Sequence, residues 1–292
     1  MQREVEATRG GAGQSDALRV ISSGGGPAAR RIRTEARRQP EPVKSWLGAL
    51  GGGTEVLAAG NARTELASRY TDAVRSECQR LIANRYPFER NSREDVAIDD
   101  FGRMFGYGGV LDKFFQENLA PVVDRSGSTW RIRGGSALGI SASSLKQFQM
   151  AERIRAAYFK SGSMTPEFSL TMTTTRLDPS VKRFVFEADG QSFDYQHGPP
   201  RSSSVTWPGQ GGGMARIMFE EASGGRPTVV VEGPWALFRL FDGANIKPVS
   251  DIEYEIGFTA GGKNATVRAQ TRSVTNPLSG PGLHEFRCPD SL

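Results

Sequence analysis

The chain has 292 residues, a net charge of +5, 37% hydrophobic and 24% charged residues, enough for one large or two medium domains with a real core. This is an ordinary globular composition, and a charge of +5 is too small by itself to imply a nucleic-acid partner. No apolar run approaches the roughly 20 residues that span a bilayer, and the start, MQREVEATRGGAGQSD, lacks the apolar stretch of a signal peptide. Taken at face value the chain is cytosolic; a piece of a longer protein would read identically.

Residues 1–14 are polar and glycine-containing and are expected to be loose. Weak helical patterning follows over 16–39, interrupted at Gly24, Gly25, Gly26 and Pro27. The densest basic run lies at 28–44. On a helix it puts Arg30, Arg33, Arg37 and Arg38 on one face and Ala29, Ile32 and Ala36 on another, a solvated face or, alternatively, an anionic contact. A short helix is predicted over 42–50, with Val43, Trp46, Leu47 and Leu50 together, stopped by Gly51, Gly52 and Gly53. The clearest helix is next: Leu66, Tyr70, Ala73, Val74, Cys78, Leu81 and Ile82 keep one helical stripe. Pro87 disfavours helix at Tyr86 and ends it.

Residues 85–121 form a dense aromatic hub. An Arg85-Tyr86-Pro87-Phe88 corner leads through a polar loop to two short segments carrying Phe101, Phe105, Leu111, Phe114, Phe115 and Leu119. So many aromatics beside turn residues read as structural. Arg85 is expected to be held by carbonyls or a carboxylate, with Asp100 or Asp112 as partner, and Tyr86, Phe88, Phe114 and Phe115 to be buried. Trp130 lies in a short polar segment to which the pattern assigns no role. A helix then begins at the capping serines 141–144 and buries Leu145, Phe148, Ala151, Ile154, Tyr158 and Phe159.

At Ser161 and Gly162 the apolar period changes to two. Phe184, Phe186 and Ala188 lead through Asp189-Gly190, a hairpin signal, to Phe193, Tyr195 and His197. Ala215, Ile217 and Phe219, then 228–231, then two further alternating runs around Gly261 and Gly262, complete at least six strands. A helical interlude starts at Trp235, and Trp207-Pro208-Gly209 and Gly233-Pro234-Trp235 read as rigid corners. The predicted fold is therefore α+β: an all-helical domain over 1–162, then an antiparallel β-sandwich over 163–292 with a short helical insertion.

Candidate chemistry fails on spacing. Ser143 and Lys146 make an S-x-x-K, but the Lys160-Ser161-Gly162 triplet lies about 20 Å along the same helix at roughly 1.5 Å per residue. His197 and His284 have no metal-ligand spacing. The adjacent pairs Asp99-Asp100 and Glu220-Glu221 would point to opposite faces of a strand. The GYGGVL stretch lacks the third glycine of a dinucleotide fingerprint. The expectation is no enzyme, no metal and no cofactor. Cys78 and Cys288 match no metal spacing, and the residues alone leave two buried thiols or one long disulfide open.

Taken together, Cys78 with Arg85-Tyr86-Pro87-Phe88, Asp100-Phe101, Phe105-Gly106, Gly109-Val110-Leu111-Asp112, Phe114-Phe115 and Leu119-Ala120-Pro121 make an ordered series. It continues through Trp130, Asp189-Gly190, His197-Gly198-Pro199, Trp207-Pro208-Gly209, Gly233-Pro234-Trp235, Asn276-Pro277-Leu278 and Phe286-Arg287-Cys288-Pro289. From about residue 35 onward, it resembles the C-terminal region of the IcmF/TssM family of type VI secretion inner-membrane proteins. The resemblance implies a periplasmic part whose membrane helices and cytoplasmic domain lie outside this chain. It also implies partners: the outer-membrane lipoprotein TssJ, docked by loops or edge strands of the β domain, TssL through the part outside this chain, and further copies of itself. No catalytic residue and no nucleotide-binding motif carries over. An oxidising periplasm favours a Cys78–Cys288 disulfide pinning the tail across both domains, worth roughly 4–5 kcal/mol in the chain-entropy model. The reading from a different class is a peptidoglycan- or carbohydrate-binding module that stacks sugars on Trp207, Tyr195 or Trp235.

Overall fold

The computed structural model describes residue 31 and residues 34–38, 60, 63–133, 139–279 and 282–292. The expectations for 1–14, 42–50 and 51–53, and most of those for 16–39, lie outside the described residues. Two compact units form. The first combines residues up to 79 with Val110–Ala151 and Cys288–Leu292; the second combines Arg80–Gly109 with Glu152–Arg287. Compactness therefore groups the chain differently from its period. Residues 80–109 and 152–162 join the strands, and 288–292 join the helices.

Helix α1 runs through residues 63–70, Thr71–Arg75 and Ser76–Leu81, and belongs to the first unit as far as Gln79. Leu66, Tyr70, Val74, Cys78 and Ile82 are buried, each four positions from the last. Four residues of ideal α-helix turn about 400°, so such a stripe would drift around the helix. The Thr71–Arg75 segment is wound wider, the Ser76 N–H reaching back to the Thr71 carbonyl, which counters the drift. Ala73, expected on the stripe, is exposed instead. Helix α3, Val110–Phe114, continues into a second wide turn, Phe115–Leu119. (Helix α2 belongs to the second unit, below.) Two short strands, β1 (Val123–Asp124) and β2 (Arg131–Ile132), pair antiparallel. Helix α4 spans Ala142–Tyr158 and belongs to this unit as far as Ala151; its Ser144 N–H is capped by the Ser141 hydroxyl at 3.0 Å.

The core of this unit is aromatic. Tyr70 packs edge-on to Phe114 at 5.6 Å and Phe148 at 6.3 Å, and Phe114 stacks on Phe148 at 5.9 Å. Trp130 now has a role. Its ring lies 4.8 Å from Phe115, the Arg125 guanidinium sits over both rings, and Gln149 ties its loop to α4 through Ser128.

The second unit starts with helix α2, Ile98–Phe105, whose first turn carries Asp99 and Asp100. That pair is helical, not on a strand. The strands follow: β3 Phe168–Leu177, β4 Val181–Ala188, β5 Gln191–Tyr195, β6 Ser202–Trp207, β7 Met214–Glu221 and β8 Thr228–Glu232. Helix α5, Ala236–Asp242, is the inserted helix; β9 Asn245–Pro248, β10 Glu253–Ala260 and β11 Lys263–Thr271 end the run. They form a five-stranded sheet, β6-β3-β11-β10-β9, and a four-stranded one, β5-β4-β7-β8, antiparallel throughout. Alternation turns Phe184 and Phe186 of one sheet onto Phe258 of the other, at 6.1 and 5.7 Å. This is the α+β order of helices then sandwich. Strands β3, β6 and β9 go beyond the six expected.

Candidate functional site

Within the second unit the Arg85–Phe88 corner and the Gly233–Trp235 corner meet. Tyr86 exchanges backbone bonds with the returning loop: its N–H donates to the Glu94 carbonyl, and the Val96 N–H donates to the Tyr86 carbonyl, each at 2.8 Å. The return brings Glu94 beside Arg85. The Arg85 guanidinium donates to the Arg80 and Leu81 carbonyls at 2.8 and 2.9 Å and lies 3.7 Å from Glu94. Carbonyls and a carboxylate hold it, but that carboxylate is Glu94 rather than Asp100 or Asp112, because the loop folds straight back on the corner.

Helix α5 packs over this corner. Arg239 lies over the Tyr86 ring, 3.8 Å from its centre, and pairs with Asp95; their side chains are only 21% and 12% exposed. The Tyr86 hydroxyl donates to Asp242 at 2.7 Å. Burial first, then the Asp242 charge, raises the Tyr86 phenol above its ordinary value, so it stays a donor. The Trp235 indole N–H donates to the Val96 carbonyl at 2.7 Å. Gly233 has φ +106° and faces the Asp95 carboxylate, leaving no room for a Cβ.

The Trp207-Pro208-Gly209 corner is built on the Asp189-Gly190 hairpin. Asp189 accepts the N–H groups of Gly209 and Gly213 at 3.2 and 3.1 Å. Gln191 clamps Thr206 in both directions, at 2.7 and 2.9 Å. A side chain at Gly209 or Gly211 would overlap Asp189, which explains the glycine-rich loop after Trp207. Trp207 lies 4.6 Å from Trp235 and donates to the Pro234 carbonyl at 2.8 Å. Both indoles are fully buried. Neither can be a sugar-stacking platform, and half-buried Tyr195 stands alone in that role.

The eight expected hub residues divide between the units. Arg85, Tyr86, Pro87, Phe88 and Asp100 belong to the second; Asp112, Phe114 and Phe115 belong to the first. Tyr86, Phe88, Phe114 and Phe115 are each buried. Phe88 stacks on Phe105 at 5.4 Å and meets Phe286 at 5.9 Å, while Phe101 meets Trp235 at 5.0 Å.

Cys78 and Cys288 are joined by a disulfide with a Cα separation of 5.9 Å, and both belong to the first unit. The bond does not cross from one unit to the other, contrary to the expectation that it pins the tail across both domains. It closes residues 288–292 onto the helices instead. The Tyr70 hydroxyl donates to the Pro289 carbonyl, and the Ser144 hydroxyl to that of Ser291, each at 2.6 Å. Sequence reasoning missed this seat. Tyr70 and Ser144 carried the signal only as a buried phenol and a helix-cap serine.

The remaining candidates are structural in place. His197 adopts φ +58° and contacts the Val181 carbonyl through Nε2 at 2.6 Å. Glu220 and Glu221 lie near Arg226 and Lys263 respectively. Among the described residues no group of three or more His, Cys, Asp or Glu could hold a metal ion, and no helix is long and apolar enough to cross a membrane.

Comparison with known proteins gives this architecture a context. Residues 61–164 match the family model described as Type VI secretion protein IcmF helical domain, and residues 168–273 match the Type VI secretion protein IcmF C2-like domain. A curated relative, the Type VI secretion system component TssM1 of Pseudomonas aeruginosa, is 33% identical over 297 residues. The match covers 99% of this chain but only 27% of that protein, so the chain spans about a quarter of its relative's length. Among solved structures, the T6SS protein TssM C-terminal domain from EAEC superposes with TM-score 0.69 at 22% identity, covering 79% of this chain and 98% of that one. A Type VI secretion system membrane core complex gives TM-score 0.74 at 19% identity, covering 94% of this chain and 59% of that one. The helices, the two-sheet sandwich and both family models agree in order and extent: the chain belongs to the IcmF/TssM family and carries its C-terminal helical and C2-like domains.

Proposed function

We propose that the chain is the periplasmic part of an inner-membrane protein of a type VI secretion membrane complex. In this reading it has a structural and docking role: its β-sandwich binds the outer-membrane lipoprotein TssJ, and further copies pack with it in the assembly. TssL is engaged by the part of the protein outside this chain. The division at 162/163, where the period changes, separates a helical support from the docking module.

One observation carries the reading: 33% identity maintained over 99% of the chain to a TssM1 protein. The structure supplies compatible surfaces. Strands β6 and β9 end one sheet, β5 and β8 end the other, and such edges take partner strands or loops. Titratable groups at the buried corners are tied up in ion pairs and hydrogen bonds, which suits a scaffold.

A direct binding measurement between the whole chain and the cognate lipoprotein tests the proposal. Saturable binding at micromolar concentrations or tighter is expected; no binding there would remove the docking role. Parallel sedimentation with purified cell wall should leave the chain in the supernatant.

A further inference from the structure

We propose that residues 288–292 are a redox-held strap on the first unit: the Cys78–Cys288 disulfide locks them down, and a dithiol releases them without unfolding the helices beneath. Tyr70 and Ser144 reach out from α1 and α4 to two backbone carbonyls of the strap, those of Pro289 and Ser291. The Arg75–Asp290 pair is long, at 3.7 Å, and its carboxylate is 91% exposed, so it adds little. Pro289 and Leu292 are buried. These few contacts must hold five residues against their chain entropy, and with the disulfide open that balance turns toward release.

The helices do not depend on the strap in the same way. Tyr70 of α1 packs with Phe114 and Phe148 in an aromatic cluster to which the strap contributes no ring. Cys78 is fully buried, whereas Cys288 is only half-buried, which sets the direction of attack. A thiolate of the dithiol attacks Cys288 Sγ, the S–S bond breaks, and Cys78 leaves as a thiolate that takes up a proton. The second thiol of the reductant then closes on the mixed disulfide and frees Cys288. The protein gains two electrons and two protons, and the dithiol becomes a cyclic disulfide. Opening uncovers the Tyr70 and Ser144 hydroxyls and the apolar footprint of Pro289 and Leu292.

Carboxypeptidase release of Leu292 and hydrogen exchange along α4, on the whole chain with and without dithiothreitol, test this, with thiol labelling to establish that two thiols per chain have formed. Release of the buried Leu292, whose neighbour Ser291 is held through its carbonyl by Ser144, should quicken by about tenfold or more, while amide protection along 145–151 changes by less than about twofold. Cys288→Ser should show the open pattern without reductant, and Cys78→Ser the same. An unchanged rate of Leu292 release after full reduction would overturn the proposal, as would two free thiols in the untreated protein. Faster Leu292 release accompanied by about tenfold loss of amide protection along 145–151, or a Cys288→Ser chain that fails to fold, would also overturn it by making the disulfide part of the core.

Discussion

The two units solve the same problem by different means. The first is small and mainly helical; its short C-terminal segment is held by one covalent bond, two neutral hydrogen bonds and one long, exposed ion pair. The second has two sheets and places charged and indole groups at its corners, each satisfied by a partner distant in sequence: Arg239 with Asp95, Tyr86 with Asp242, Trp235 with the Val96 carbonyl. A buried polar group costs little when paired and much when its partner is removed. The second unit should therefore be the more sensitive to single substitutions of polar groups, and the first to its disulfide.

The largest expected effect is at Trp235. Trp235→Ala removes a fully buried indole and strands the Val96 carbonyl, and should destabilise by about 3–5 kcal/mol in urea unfolding followed by fluorescence. A loss under about 1 kcal/mol would mean the corner repacks, and the contrast between the units would fail. Next is Arg239→Met, which leaves Asp95 without its charge partner and should cost about 3 kcal/mol. Adding Asp95→Leu to that variant should recover part of the loss; no recovery would mean that the Tyr86 stacking contact, rather than the pair, carries the effect.

Two tyrosines sharpen the comparison directly. Tyr86→Phe deletes a bond to a carboxylate and should cost about 1.5–3 kcal/mol, whereas Tyr70→Phe deletes one to a neutral carbonyl and should cost about 0.5–1.5 kcal/mol. Reversal of that order would break the argument. The smallest effect is a pH dependence. Burial raises both phenols, with Asp290 adding at Tyr70 and Asp242 at Tyr86. A folded-state value above the unfolded one of about 10 means that the stabilisation is complete below that pH and is lost as pH climbs beyond it. Melting temperature should fall above about pH 10, and less steeply in Tyr86→Phe.

Much of this was legible in the chain because burial writes a period into it. The α1 stripe, the α4 stripe and the alternation of β4, β7, β10 and β11 follow from helical and two-residue repeats. Strand β3 was missed although Phe168, Leu170 and Met172 alternate with Ser and Thr; Ser202–Trp207 carries too few apolar residues to stand out. Glycine and proline placed the corners correctly, since Gly233 at φ +106° admits no other residue without strain. The pattern alone leaves the use of those corners between a buried indole and a sugar-stacking platform. An aromatic beside proline and glycine reads the same whether it faces a sugar or the core, and only packing buried Trp207 and Trp235.

The sequence by itself determined the local elements of this protein, their order and its family, because each rests on residues near one another or on a pattern repeated along the chain. Tertiary structure alone decided which distant segments share a core. It set 80–109 with the strands, matched Arg85 to Glu94, and returned residues 288–292 to α1 and α4. Those choices depend on side chains brought together across up to 219 positions, as between Tyr70 and Pro289, and no local propensity encodes such a pairing.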